Sequence, residues 1–404
     1  YKTAYSNYSG LFGYICHFLP STEPHGVRNL ELVNANITGN ENVGGIVGYN
    51  EDSQIFNCKV SGLIKGRTYV GGIVGYTVKS DQTSASVVKC ANTATITGII
   101  INSLESQFVG GIAGQNGNSL IEKCYNTGTI NGAGMNVGGL VGQNGSGSVL
   151  SKCYNTGSVT STLSGVTIGG LTGWNTGSTI INCYNKGNIS GNVIARAGGL
   201  VGNNASAFIT NCYNAGDVTG FIGDTFGSIA GDIGYSHVND TYWDIQTTLI
   251  DGFGGSNDPN TTINNSNGLN TINMYIGNFP NWDWTTIWQT NPLDYPTLRE
   301  NPDATLPVTL SSFSAVCNAS ETVSINWTTQ SESSMFGYYI LRNTIETLSG
   351  AEHMNSQLIS ATNQSTEQNY SFTDSEVQTN NTYYYWLQSV ECDGSSEFFG
   401  PVRV

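Results

Sequence analysis

Gly138-Gly139-Leu140-Val141-Gly142, followed by Cys153-Tyr154-Asn155-Thr156-Gly157, decides the fold of this chain, because both phrases recur along it. The glycine phrase returns at residues 44–48, 71–75, 110–114, 169–173 and 198–202, degraded at 227–231 and again at 9–13. Its first glycines, from Gly44 to Gly227, stand 27, 39, 28, 31, 29 and 29 residues apart. A period of that length is one supersecondary unit per repeat and predicts a solenoid, already running at the first residues.

The second phrase recurs as Cys124-Tyr125-Asn126, Cys183-Tyr184-Asn185 and Cys212-Tyr213-Asn214, with poorer copies at Cys58 and Cys90. Three residues before each cysteine stands an apolar residue (Ile121, Leu150, Ile180), and six after it another (Ile130, Val159, Ile189). Every coil thus offers the same inward set. Short β-branched runs between glycine and asparagine turns argue strand, and no window sustains helical spacing. Coils stacked at about 4.8 Å make eight repeats a rod of about 38 Å.

Within such a coil, Gly128, Gly157, Gly187 and Gly216, each four residues after a cysteine, are expected at one corner, where glycine permits positive φ and close backbone approach. Asn116, Asn144, Asn175 and Asn204, and in parallel Asn126, Asn155, Asn185 and Asn214, are expected to stack as two amide ladders in turn-forming positions.

The cysteines are expected to be buried free thiols. Stacked residues have parallel Cα–Cβ vectors about 4.8 Å apart, whereas a disulfide needs Cβ atoms at about 3.8 Å. Cys317 and Cys392, in the C-terminal part, are expected at opposite poles and unpaired. The histidines are scattered and no two cysteines have zinc-finger spacing, so no metal or other cofactor is expected. Tyr125, Tyr154, Tyr184 and Tyr213 each follow an inward cysteine, so alternation places them on the outer face. Two readings stand for this row: rings stacked on their own copies to shield the sheet, or a flat platform for sugar rings or a partner. The loop at residues 251–258 is a plain loop, with Ca²⁺ binding as its alternative.

Beyond the repeats, tryptophans gather at Trp243, Trp282, Trp284 and Trp288, and from about Leu306 glycine thins out. Runs at residues 323–327, 337–341, 370–374, 383–387 and 398–402 read as strands of a sandwich. Tyr384, Trp386 and Val390 alternate with the core residues Tyr383, Tyr385 and Leu387, and so are expected to form an outward apolar strip available for assembly.

The Gly-Gly-Leu-Val-Gly and Cys-Tyr-Asn-Thr-Gly phrases resemble the GLUG-motif repeat of bacterial secreted and surface proteins, over about residues 1–235. Residues 242–298 resemble the segment that usually ends such arrays. The module from Leu306 resembles the fibronectin type III-like domain that often precedes a C-terminal sorting domain, and no such domain follows Val404. The resemblance implies an adhesin-like role and supplies no catalytic residues.

Only 11% of the residues are charged and the net charge is −15, with 14 Lys plus Arg against 29 Asp plus Glu, which argues against a nucleic-acid partner. No apolar run is long enough to span a membrane, and no signal peptide precedes Tyr1, so the chain reads as a mature or truncated product. The acids of the array fall at no common repeat position, which disfavours a polysaccharide-degrading enzyme. The expected fold is all-β: a right-handed parallel β-helix over residues 1–240, a Trp-rich closing module over 241–303 and a fibronectin type III-like sandwich over 304–404. The expected role is that of an extracellular or cell-surface adhesive rod, with glycans, a host surface or further copies of itself as partners. A first coil with no visible cap offers an open β edge for end-to-end filaments, against which stands a capped monomer.

Overall fold

The computed structural model describes residues 7–16, 26–80, 85–100, 108–161, 163–191, 194–219, 225–255, 258–277, 279–291, 294–299, 310–318, 322–329, 335–362, 367–391 and 396–404. The chain divides into two compact units, Tyr1–Asp303 and Ala304–Val404.

The first unit is a parallel β-solenoid of about eight turns. One turn shows the pattern. Asn136–Gly138 belongs to a seven-stranded first sheet, Val141–Asn144 to an eight-stranded second, and Val149–Ser151 to a nine-stranded third. Tyr154–Asn155 and Val159–Ser161 lie in a fourth sheet of 14 short strands, before Val166–Gly169 begins the next turn. Equivalent residues pair in register: Val137 with Ile168, Leu150 with Ile180, Val159 with Ile189. All six are fully buried, so each inward row is a continuous apolar ladder. Pairing continues past residue 240, through Tyr242–Asp244, Thr262–Asn264 and Asn267–Leu269, so the solenoid extends into the stretch assigned to the closing module.

Each glycine of the repeated phrase has its own steric reason. A Cβ at Gly138 would stand 2.1 Å from Val141 O, one at Gly139 2.1 Å from Gly170 O, and one at Gly142 2.6 Å from Val109 N. The first clash is with the chain's own bend, the second with the next coil, and the third with a first-sheet strand packed against the second sheet. Gly157 likewise abuts Gly128 O, at 2.1 Å from an added Cβ. None of these has positive φ. The left-handed corner falls instead on the residue before each cysteine: Lys89, Lys123, Lys152, Asn182 and Asn211 have φ between 51° and 55°. The expected glycine corner is therefore corrected: close approach holds there, and positive φ belongs elsewhere.

The interior is not wholly apolar. Asn126, Asn155, Asn185 and Asn214 are fully buried, and their amides run Asn126 to Asn155 (2.8 Å), Asn155 to Asn185 (2.9 Å) and Asn185 to Asn214 (2.8 Å), donor to acceptor. A second ladder runs Asn116 to Asn144, Asn175 and Asn204 at 2.9, 2.9 and 2.7 Å. Cys58, Cys90, Cys124, Cys153, Cys183 and Cys212 are free and buried. Each successive Sγ from Cys90 to Cys212 accepts the backbone N–H of the cysteine one coil earlier, as Cys124 N does to Cys153 Sγ at 3.3 Å. Burial drives the thiols from Cys90 to Cys183 well above their ordinary pKa.

In the second unit, Leu310–Cys317, Val323–Thr329 and Gln368–Asp374 form a three-stranded antiparallel sheet. Met335–Asn343, Tyr384–Glu391 and Ser396–Arg403 lead a five-stranded antiparallel one. Trp327 of the first and Tyr338 of the second meet at 5.4 Å in a shared core with Ile325, Ile340 and Leu387. Tyr384, Trp386 and Val390 do not form an outward strip: Trp386 is only 5% exposed and the other two are half-buried. Alternation itself holds, since Tyr383, Tyr385 and Leu387 lie in the shared core and Trp386 does not, but Trp386 and Leu341, opposite it, are buried on the other face as well. Cys317 is exposed and free, and Cys392 lies outside the described residues.

Candidate binding faces

The tyrosine row is stacked as its spacing requires. Ring centroids of Tyr125, Tyr154, Tyr184 and Tyr213 follow one another at 5.0, 5.0 and 4.9 Å, with interplanar angles of 2°, 6° and 2°. The row points out of the coil but is not exposed, since Tyr154, Tyr184 and Tyr213 have no accessible surface and Tyr125 is half-buried. After the last coil the chain turns back over it. The short helix Thr271–Tyr275, the aromatic turn at Phe279 and Trp282, and the hairpin of Trp288–Asn291 with Asp294–Leu298 pack on the tyrosines as one apolar cluster. Trp288 stands 6.0 Å from Tyr184 and 6.1 Å from Tyr213, Tyr213 Oη donates to Pro296 O at 2.8 Å, and Lys186 pairs with Asp294 at 3.4 Å. Burial pushes Tyr213 well above its ordinary pKa. The expected open platform at Tyr125, Tyr154, Tyr184 and Tyr213 is thereby corrected: the Trp-rich segment covers it.

The loop after residue 250 continues the solenoid. Ser228 N and Ile229 N donate to Asp251 O and Gly252 O, at 2.8 and 2.7 Å, so these carbonyls already accept hydrogen bonds. Ser256 and Asn257 lie outside the described residues. Among the described residues no group of three His, Cys, Asp or Glu side chains is placed to hold a metal ion, and no helix is long and apolar enough to cross a membrane.

A second aromatic feature, unforeseen in the sequence reading, lies where the outer faces of the first and second sheets meet. The residue after the third glycine of each phrase forms one outward row of the second sheet. Tyr14, Tyr49 and Tyr76 occupy it in the first three coils, then Gln115 and Gln143, then Trp174. The facing wall carries Tyr8, Tyr69 and Phe108. Tyr14 stacks on Tyr49 at 5.3 Å and Tyr69 on Tyr76 at 5.4 Å, while Tyr8 meets Tyr49 edge-on at 5.8 Å. Further along, Arg196 on the first sheet pairs with Asp232 on the second at 2.8 Å, so the two walls remain in contact there. Tyr14 Oη donates to Glu51, and this contact raises the phenol's pKa; burial pushes Tyr49 up to about 12. The signal was in the sequence: a tyrosine directly follows Gly13, Gly48 and Gly75.

The model of the GLUG motif matches residues 39–64, 109–131, 133–160 and 164–190, so the solenoid contains GLUG-motif repeats. Among solved structures, the chain is similar to a Fn3-like protein from Clostridium thermocellum, at 22% identity over 23% of this chain and 84% of that one, with a TM-score of 0.17. No curated protein matches the chain.

Proposed function

We propose that this protein is a non-catalytic adhesive and structural rod of a bacterial cell surface or secreted matrix. In this reading the solenoid winds as a right-handed β-helix and the second unit is a fibronectin type III-like module. The observation that carries it is the set of in-register ladders of asparagine, cysteine and tyrosine, which fix successive coils to one another and repeat the same outward positions along the shaft. A composition with 11% charged residues, whose polarity comes from Asn, Thr, Ser and Gly, supports an extracellular setting. The test is antibody labelling of intact producing cells together with retention of the purified protein on cell surfaces. Absence of both surface labelling and retention overturns the reading.

End-to-end association is a second element of it. Phe12–Cys16 pairs with Val47–Glu51 on one side only among the described residues, and Leu11 before it and Phe12 at its start are 53% and 40% exposed. Electron micrographs of concentrated protein decide this point: filaments support it, and isolated particles alone refute it.

A further inference from the structure

Charge is divided unevenly along this chain. Residues 1–200 hold 11 Lys plus Arg against 8 Asp plus Glu, whereas residues 201–404 hold 3 against 21. A molecule of net charge −15 thus begins with a positive stretch, and such an asymmetry favours a surface that attracts the opposite sign. The solenoid gathers the cations at the corner between the third and fourth sheets. The residue before the repeat cysteine is Lys89, Lys123 and Lys152 in three successive coils, after which the place passes to Asn182, Asn211 and Asp240. Arg28 and Lys59 stand beside the same corner in the two coils before Lys89. Lys152 pairs with Glu122 at 3.6 Å and Glu31 lies opposite Lys59, so the acids of the corner are fewer than its cations. Next to these cations the outer face of the third sheet is apolar. Arg28 and Lys89 both lie over the ring of Phe56, at 5.7 and 6.0 Å, and Val88, Leu120 and Val149 follow coil by coil, each half-buried.

A surface of complementary chemistry lies on the second unit, which carries 2 Lys plus Arg against 10 Asp plus Glu. Between Met335–Asn343 and Glu352–His353 a loop presents Ile345 and Leu348, exposed by 60% and 37%, with Glu346 and Glu352 exposed beside them and no basic residue from 343 to 352. The loop is braced from within: Asn343 Nδ2 donates to Thr347 O at 2.9 Å, Asn343 Oδ1 accepts from Thr344 N at 2.8 Å, and Ala351 N donates to Leu348 O at 3.1 Å. A surface already held in shape loses little freedom on docking. Apolar side chains flanked by carboxylates match an apolar face flanked by ammonium groups, and every molecule carries both. We propose that the basic corner of one copy is the docking site for the loop at residues 343–352 of a second copy, with Ile345 and Leu348 on the apolar face beside Phe56 and Glu346 and Glu352 toward the lysine row. A free polyanion would supply the charge without the apolar groups, and the acids that follow residue 200 oppose it. This contact is distinct from the end edge at Phe12–Cys16 and goes beyond the adhesive reading.

Sedimentation velocity of the full chain, from about 5 to about 200 μM and in about 0.05 M or about 0.5 M NaCl, tests it. The chain should associate with a Kd of about 10–100 μM at the lower salt and about tenfold more weakly at the higher. The triple change Lys89→Glu, Lys123→Glu and Lys152→Glu should abolish association over this range, and so should the pair Glu346→Lys and Glu352→Lys. The first makes the chain more negative and the second less, so loss in both does not come from net charge. Each variant keeps the surface that the other has lost, and an equimolar mixture should associate again, as a contact between copies requires. Lys65→Glu with Lys79→Glu, away from this corner, should leave association unchanged, and unaltered circular dichroism verifies folding of every variant. The proposal is overturned if the chain stays monomeric at about 200 μM in the lower salt, if association survives either charge change, or if the chain binds polyglutamate while remaining monomeric. Retention on cells without self-association overturns this contact alone, while self-association without retention or surface labelling overturns the adhesive reading alone.

Discussion

Asn155 Nδ2 donates both to Gly157 O, at 2.8 Å, and to Asn185 Oδ1 in the next coil, at 2.9 Å. One side chain thus closes its own corner and joins two coils. Replacing it with alanine takes from Asn126 Nδ2 one of its two acceptors, leaving Gly128 O, and from Asn185 Oδ1 one of its two donors, leaving Gly187 N, all far from water. Asn155→Ala should destabilise the solenoid by about 2–4 kcal/mol. Hydrogen exchange should localise the loss to the coils on either side of residue 155, and uniform protection there would contradict the ladder's role.

The thiols should divide by position. Cys317 should react with a thiol reagent in the native protein, whereas Cys90, Cys124, Cys153, Cys183 and Cys212 should react only after denaturation. Cys183→Ser should cost less than about 1 kcal/mol, because Ile181 O already accepts from Sγ at 3.2 Å and would accept a hydroxyl. Mass spectrometry of labelled peptides is the check.

Stability should fall in alkali. The folded thiols ionise far above the ordinary value of 9.0, while those of the unfolded chain ionise near it. Between those two limits the unfolded chain has lost a proton that the folded one keeps, so stability declines as pH rises. The melting temperature should hold from pH 7 to about pH 8 and drop from about pH 9 upward. Removing Cys124 and Cys153 together, as alanines, should make that drop shallower.

Trp288→Ala should loosen the cover over the tyrosine row rather than the coils beneath it. The loss of a fully buried indole is expected to cost about 3–5 kcal/mol of the covering segment's docking. Limited proteolysis should then cut within residues 270–299 much faster than in the parent, with far-ultraviolet circular dichroism of the solenoid retained.

In the second unit, Arg342 Nη1 pairs with Asp374 Oδ2 at 2.7 Å, and Tyr385 Oη donates to the same carboxylate oxygen at 2.9 Å. Asp374→Ala strands a mostly buried guanidinium and should destabilise this unit by about 3–5 kcal/mol, read as a lowered calorimetric transition.

The repeat made the solenoid legible. Residues one coil apart do the same physical job, so the phase of Ile121, Leu150 and Ile180 revealed an inward row without any structure, as did the spacing of the cysteines. What the phase could not show is contact between segments distant in the chain. Tyr184 faces outward on its coil, but its exposure depends on Trp288, more than a hundred residues later, and nothing local in the tyrosine phrase encodes that cover. Trp386 lies on the face away from Tyr385 and Leu387, as alternation requires, yet it is buried there, because alternation along one strand does not encode what covers a face. The tyrosines after Gly13, Gly48 and Gly75 were visible as a series, yet only the packing of Gly142 against Val109 explains why two outer faces should meet there.

The amide ladders also give the shaft a direction. From Asn116 to Asn175 every Nδ2 donates toward the following coil, and Asn204 Nδ2, where the row stops, has no acceptor among the described residues; before Asn116 the position is taken by Thr77, whose hydroxyl accepts from Asn50 Nδ2. The side-chain dipoles therefore add rather than cancel along the row. The next coil carries Ile233 beside Asn204, and the coil before Asn50 carries Ile15, so apolar residues seal the row at both ends inside the shaft. The polarity is therefore internal, a direction written along the shaft that its ends do not display.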